Sequence, residues 1–316
     1  MTKSMGRTGV LLKGGLGNQL FQIAAGIYSS KGQTVHLFSR FTLPRETNGQ
    51  ADLLFFKLPP EVSEISTEST RFERRVLALN LKLALVQNER FKFDLFRKIV
   101  DIASNLIFSL RFNTYTKVFS GTGVGFCEIN TKPKNTLLNG YFQAHQYPFE
   151  FETYNKMQSI QIINQSQQLK DWINLANVER PVIVHLRLND YKLEKGIGVL
   201  PSKYYDKALM QIQKMAQSRK IWVFSDEPAA VDRFVKPPIE YEIRVIGDNG
   251  LNPAETLELM RHGSAYVIAN STFSWWAAFL SHEKGCPTIM PAPWFQNMPS
   301  PEGIKPENWI EIEYLE

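Results

Sequence analysis

The stretch GVLLKGGLGNQLFQIAAGIYSSKGQTVHLF (residues 9–38) sets the fold. GVLLK (9–13) is a short apolar run of the kind that forms a buried strand. GGLGN (14–18) is too rich in glycine for regular structure, and QLFQIAAGIYSSKG then carries apolar residues at helical spacing up to Gly32. VHLF (35–38) follows as a second strand. Strand, glycine loop, helix and strand in that order predict a parallel βαβ unit, and so an α/β fold.

The second half repeats the alternation. PVIVHLRL (181–188), IWVFS (221–225), a weaker YEIRVI (241–246), AYVIA (265–269) and PTIMP (287–291) read as strands. YYDKALMQIQKMAQSRK (204–220), PAETLELMRHGS (253–264) and TFSWWAAFLS (272–281) read as helices between them. In the first half, long segments rich in Leu, Phe, Lys and Arg over about 70–118 predict a helical insertion. A chain of 316 residues has room for two domains, and the reading divides it into 1–165 and 166–316.

The totals exclude several classes. Hydrophobic residues make up 43% and charged residues 21%, an ordinary globular composition. Two cysteines, Cys127 and Cys286, are too few for a disulfide framework and read as reduced thiols. A three-residue apolar run before Lys13 is no signal-peptide core, and no stretch is long enough to span a bilayer. A cytoplasmic protein is expected. The net charge is +5, yet residues 70–120 hold ten Lys or Arg against four acids, so the rest of the chain is slightly negative. A solvated helical face accounts for such a run most simply. Attachment to anionic lipid at the inner face of the membrane comes second, and nucleic-acid binding last, since no recognised module accompanies the charge.

Ligands of repeating βα folds gather at the carboxyl ends of the strands. GGLGNQL there fails as a dinucleotide fingerprint: Leu20 stands at the third glycine position, and no acid ends the second strand. What remains is a close-approach loop with Gly15, Gly17 and Asn18, suited to an anion or a sugar hydroxyl, or a tight turn with no ligand. In VHLRLNDY, alternation sends His185 and Arg187 one way and Val184, Leu186 and Leu188 the other. Arg187 needs an anionic partner, which is either a phosphate or Asp190. In FSDEP (224–228), Ser225 or Asp226 can cap the next helix, or Asp226 can accept from guanine N–H groups. Asn270, Ser271 and Thr272 precede a helix whose terminus favours phosphate. Trp275 and Trp276 point about 100° apart, so at most one faces a ligand. His36, His145, His262 and His282 lack metal-ligand spacing and read as surface or structural residues.

GGLGNQLFQ, GYFQ (140–143), HLRLNDY, VFSDEP, ELMRHGSAYVIANSTFSWWAAFL and the later PAPWF together resemble glycosyltransferase family 11, the α-1,2-fucosyltransferases, from about residue 9 to 295. The resemblance implies a GT-B architecture, two Rossmann-like domains facing a cleft. It also implies inverting, metal-independent chemistry without a cofactor, in a bacterial form of the enzyme. The implied donor is GDP-fucose, bound mainly by the C-terminal domain, and the implied acceptor is a galactose-containing oligosaccharide or lipid-linked glycan. By the same resemblance Arg187 holds the donor pyrophosphate and His185 lines that site. Ser225, Asp226 and the 270–272 turn contact nucleotide and phosphates, and Asn18 closes over the pyrophosphate. The chain departs from the family's HxRRGDY pattern, with Leu188 and Asn189 in place of Arg and Gly, which predicts one charge fewer beside the pyrophosphate.

Negative charge grows on the leaving diphosphate during such a transfer, so donors must be aimed there. Arg187, the 270–272 helix terminus and the glycine-loop amides are the candidates. Asp190 is the first candidate base and Glu194 the second. A salt bridge from Asp190 to Arg187 would remove Asp190 from that role. Two rivals stand beside this reading, a transferase using another nucleotide sugar and a glycan-binding protein of the same fold without turnover.

Overall fold

The computed structural model describes residues 7–39, 53, 55–65, 68–85, 92–112, 115, 117–129, 135–194, 196–236, 240–247 and 250–315, with backbone alone at 92–95 and 112. Of the basic section, Glu89 and Arg90 and the side chains of Lys92 and Asp94 lie outside the described residues. The chain divides into two compact units. Unit 1 comprises residues 1–161 with 301–304, and unit 2 comprises 162–300 with 305–316.

Unit 1 opens with β1 (Thr8–Leu11), α1 (Leu16–Ser30) and β2 (Val35–Phe38), the βαβ unit read from the sequence. The short strands β3 (Phe56–Lys57) and β4 (Val62–Glu64) follow, then α2 (Arg71–Leu85), α3 (Lys92–Phe112), β5 (Lys117–Phe119) and β6 (Thr136–Leu138). Its sheet runs β4-β2-β1-β6-β5, with every pairing parallel. The expected helical insertion is present as α2 and α3 between β4 and β5. Leu77 of α2 and Phe108 of α3 meet Leu11, Val118 and Leu137 in one buried cluster, which fixes the insertion on the sheet. The unit closes with α4 (Gln146–Phe149), α5 (Phe151–Gln158) and β7 (Gln161–Ile162).

Unit 2 carries α6 (Gln167–Glu179), β8 (Val182–Leu186), α7 (Ser202–Ile212), β9 (Lys220–Ser225), α8 (Val231–Phe234) and β10 (Glu242–Ile246). It continues through α9 (Pro253–Met260), β11 (Ala265–Val267), α10 (Thr272–Phe279), β12 (Thr288–Ala292) and β13 (Ile310–Glu313). Its six strands are all parallel in the order β10-β9-β8-β11-β12-β13. Counted within the unit this is 3-2-1-4-5-6, the Rossmann order, with its switch point between β8 and β11. Both units are α/β with a parallel sheet, as the sequence predicts, and unit 2 has the Rossmann strand order.

The sequence explains the helix ends. α9 begins with a capping box: Asn252 accepts from the Glu255 amide at 3.0 Å, Glu255 accepts from the Asn252 amide at 3.3 Å, and Pro253 holds the first helical position. TFSWWAAF has apolar residues on every side, as a fully buried helix requires. Trp275 and Trp276 are both completely buried, Trp275 stacked on Phe279 at 5.3 Å and against Trp309 at 5.2 Å. Both tryptophans are core residues.

Candidate active site

In unit 1 the switch point falls between β1 and β6, and the glycine loop leaves the carboxyl end of β1. Gly14 has φ +68, where a Cβ would sit 2.6 Å from the Asn18 amide nitrogen, so this position requires glycine. Gly15 is the extended N-cap of α1, and a Cβ there would meet nothing within 4 Å. The expectation that residues 14–18 are irregular is corrected: α1 starts at Leu16, so Gly17 and Asn18 lie in its first turn. The glutamines of the motif explain the early start. Gln19 Nε2 donates to the Gly14 carbonyl at 2.9 Å, and Gln22 Oε1 accepts from the Lys13 amide at 2.9 Å, tying the loop to its own helix. Asn18 Oδ1 accepts from Gln143 Nε2 at 2.8 Å, which links GGLGN to GYFQ across the ends of the adjacent strands β1 and β6. Gln143 follows Phe142, a buried non-glycine residue held at φ +51. Such strain gathers where a side chain must be aimed.

In unit 2, β8 ends at Leu186, and Arg187 is the first residue beyond it rather than part of the strand. The alternation persists, since Leu188 is fully buried with Leu186 and Val184 while Arg187 faces the other way. Its guanidinium makes a two-pronged bond to Asp190, Nε–Oδ1 at 2.9 Å and Nη2–Oδ2 at 3.0 Å, and reaches Asp226 Oδ2 at 3.3 Å. Burial acts to lower the arginine's pKa, but Asp190 and then Asp226 outweigh it and raise it. Asp190 is therefore committed to Arg187, which meets the condition that removes it as the first candidate base. Glu194 is exposed, and its carboxylate has no hydrogen bond or ion pair among the described residues.

Asp226 is engaged at the same turn. It accepts from the Leu188 amide at 2.9 Å and the Asn189 amide at 3.2 Å, while Asn189 Nδ2 donates to the Asp226 carbonyl at 2.7 Å. The carboxylate clamps the turn after Arg187. It caps no helix of its own. Ser225 Oγ accepts from the Glu227 amide at 3.0 Å and shapes the same strand end. Asn189 thus completes a backbone clamp. Leu188 fills core on the side of the backbone away from Arg187.

At the switch-point partner strand, Asn270 Nδ2 donates to the carbonyls of Ile197 (3.2 Å) and Gly198 (3.0 Å). Its donors are spent holding the 194–200 loop, and the remaining Oδ1 is an acceptor, the wrong sign for phosphate. The Asn270 side chain therefore serves to anchor that loop beside the turn. Ser271 is the N-cap of α10 without a side-chain cap bond, and Thr272 opens the helix. That terminus keeps its positive end toward the carboxyl edge of the sheet. Tyr191, which sequence reasoning did not single out, joins the two strand ends. Its hydroxyl donates to the Asn270 carbonyl at 3.2 Å, the Arg187 guanidinium lies 5.8 Å from its ring centroid, and burial pushes its pKa up to about 12. His185, buried on the Arg187 side, packs on Phe273 at 6.1 Å and leaves Nδ1 without a hydrogen bond. Burial, and then the charge of Arg187, lowers its pKa to about 3, so the imidazole is neutral at working pH.

One cluster escaped the sequence reading. Glu258, His262 and His282 bring their potential ligand atoms within 4.8 Å of one another. Residues 24 apart in sequence leave no spacing signature. The loops carrying His262 and His282 lead into β11 and β12, so the cluster lies at the amino ends of the strands, away from Arg187. Arg261 Nη1 already bonds Glu258 Oε2 at 2.7 Å and supplies the positive charge that a cation would bring. The cluster is self-neutralised.

The family model described as "Glycosyl transferase family 11" matches residues 8–313. An Escherichia coli alpha-1,2-colitosyltransferase is 26% identical over 96% of this chain and 97% of its own. The Escherichia coli O-antigen biosynthesis glycosyltransferase WbnK is 26% identical over 95% and 99%. Among solved structures, the NodZ alpha-1,6-fucosyltransferase co-crystallised with GDP is 13% identical, covers 87% of this chain and 92% of that one, and superposes with a TM-score of 0.46. A match that runs from the first strand of unit 1 to the last strand of unit 2 makes this chain a member of glycosyltransferase family 11, and so a glycosyltransferase.

Proposed function

We propose that the chain transfers L-fucose from GDP-β-L-fucose to the 2-hydroxyl of a galactose residue in a glycan, as an inverting, metal-independent galactoside 2-α-L-fucosyltransferase of surface polysaccharide assembly. The supporting observation is that the β8/β11 switch point carries both the Arg187 guanidinium and the N-terminus of α10 at Ser271 and Thr272. Both face where a departing diphosphate gathers charge, and each such donor is worth about 3 to 4 kcal/mol of barrier. The two-pronged grip on Asp190 has the shape of a grip on phosphate oxygens. The diphosphate takes one of the two prongs on Arg187 while Asp190 keeps the other, so Asp190 tempers donor binding and stays occupied. Buried His185 stays neutral behind Arg187, and Ser225 and Asp226 hold the strand end at which the nucleotide lies. In unit 1, the amides of Gly15 and Gly17 suit the same class of ligand, with Asn18 held beside them by Gln143. Glu194 is then the base that takes the proton of the acceptor hydroxyl.

Incubation with GDP-fucose and galactosyl acceptors, followed by linkage analysis, tests this directly. An α-1,2-fucosylated product supports it. GDP-mannose, UDP-galactose and a colitosyl donor run in parallel, because the colitosyltransferase relative favours a second reading in which another sugar is moved to the same position. Binding of GDP without turnover of any donor sinks both readings and leaves a glycan-binding protein. For the residue roles, Asp190→Ala should bind GDP several-fold more tightly and keep kcat within about threefold, while Glu194→Gln should lose about a hundredfold or more in kcat. The reverse pattern returns the base to Asp190.

A further inference from the structure

The α2–α3 insertion carries an anomaly that transfer chemistry does not use. On α3, the residues on the outward side from Phe96 onward are Phe96, Ile99, Ile102, Ala103, Leu106 and Leu110, all exposed and none of them polar. At 100° per residue they fall within about 120° of arc and extend roughly 21 Å along the axis. Exposure rises to 66% at Ile102 and 77% at Leu110. The inner side is already occupied, with Val100, Ser104 and Phe108 buried. A helix between core and water places charges on its outer face. This one places a second apolar stripe there.

α2 supplies the complement. Arg71, Arg75 and Lys82 are exposed at spacings of four and seven, beside exposed Phe72, Leu79 and Leu85. Its acid, Glu73, is turned inward, buried and held by Arg111 at 3.4 Å. The outer side of this pair of helices therefore combines large apolar groups with basic charge alone on α2, the composition of an interfacial helix. No helix among the described residues is long and apolar enough to cross a membrane. We propose that the outer side of the α2–α3 pair is a docking surface for an anionic lipid bilayer, with the α3 stripe seated among the acyl chains and the α2 cations on the headgroups. A second copy of this chain fits the stripe less well, because a symmetric contact would bring two basic α2 helices together.

Flotation of the full chain with vesicles tests the proposal without reference to its transferase activity. Phosphatidylcholine vesicles containing phosphatidylglycerol should carry the protein up the gradient, and phosphatidylcholine alone should leave most of it behind. Ile102→Glu/Leu106→Glu and, separately, Arg71→Glu/Arg75→Glu should each lower binding by roughly tenfold or more, since each charge near an anionic surface matters at that scale. Circular dichroism and retained GDP binding confirm that the variants fold. Equal recovery with both vesicle types, or variants that float like the wild type, overturns the proposal. A dimer in light scattering that Ile102→Glu/Leu106→Glu converts to monomer also overturns it, and assigns the stripe to a second copy.

Discussion

Arg187 grips two carboxylates with one guanidinium, and a diphosphate must win it from at least one of them. Arg187→Ala is expected to lower kcat/KM for the donor by a few hundredfold, in line with about 3 to 4 kcal/mol for a lost charge-stabilising donor. Arg187→Lys should recover little of this, because an ammonium lacks the planar fork that matches two oxygens. Donor-saturation kinetics on the two variants check both statements, and full turnover by the alanine variant would defeat the assignment. His185, behind it, makes a separate prediction about pH. Its folded pKa lies near 3, whereas the unfolded imidazole titrates near 6.5. Below 6.5 the unfolded chain takes up a proton that the folded chain refuses. Stability is then complete above that pH and falls, as pH drops from 6.5 toward 3, by about 1.4 kcal/mol per unit. Urea unfolding at pH 7, 6 and 5 should show this slope in the wild type and lose it in His185→Gln. Parallel pH curves for the two proteins would count against a buried neutral histidine.

At the scale of elements, the buried Glu258 at the end of α9 binds Arg261 at 2.7 Å and His282 at 3.1 Å, joining that helix to the segment after α10. Glu258→Ala strands a buried guanidinium and should cost about 3 to 5 kcal/mol in denaturant unfolding. A loss below 1 kcal/mol would show that the cluster bears no such strain. Nothing in the sequence announces this joint, and the same holds for much of the site. VHLF was legible as a strand residue for residue, because three apolar residues and one histidine between turns admit few alternatives. The start of α1 was not, since the bonds from Gln19 and Gln22 back to the loop draw helix into glycine-rich sequence. Arg187, Asp226 and Asn270 were legible as strand-end residues, but their partners were not. Asp226 meets amides 37 and 38 positions away, Asn270 meets carbonyls 72 and 73 away, and Asn18 meets Gln143 at 125. Periodicity records which face a residue takes. It carries no record of which distant strand end arrives beside it, and so the bonds that hold these three groups were not legible.

Across the whole molecule, each unit has its own parallel sheet and its own buried cluster, so heating should resolve two transitions rather than one. GDP saturating at a hundred times its Kd adds about 2.7 kcal/mol to whatever it binds, which in a unit of about 150 residues moves Tm by roughly 5 to 10 °C. If the diphosphate is held chiefly by Arg187 and the α10 terminus, that shift belongs to unit 2. Two variants identify the transitions. Gly14→Ala, which forces a Cβ into a positive-φ turn against Asn18, should lower the unit 1 transition by several degrees and leave the other in place. Arg187→Ala should abolish the GDP-induced shift. Differential scanning calorimetry with GDP, repeated in EDTA, then reads the outcome on one instrument. The expected record is one transition displaced by GDP, the same displacement in chelator, and no displacement in Arg187→Ala. A shift confined to the transition that Gly14→Ala lowers would move the donor to unit 1. A shift that EDTA erases would give a metal the charge that the arginine and the helix terminus are argued to supply.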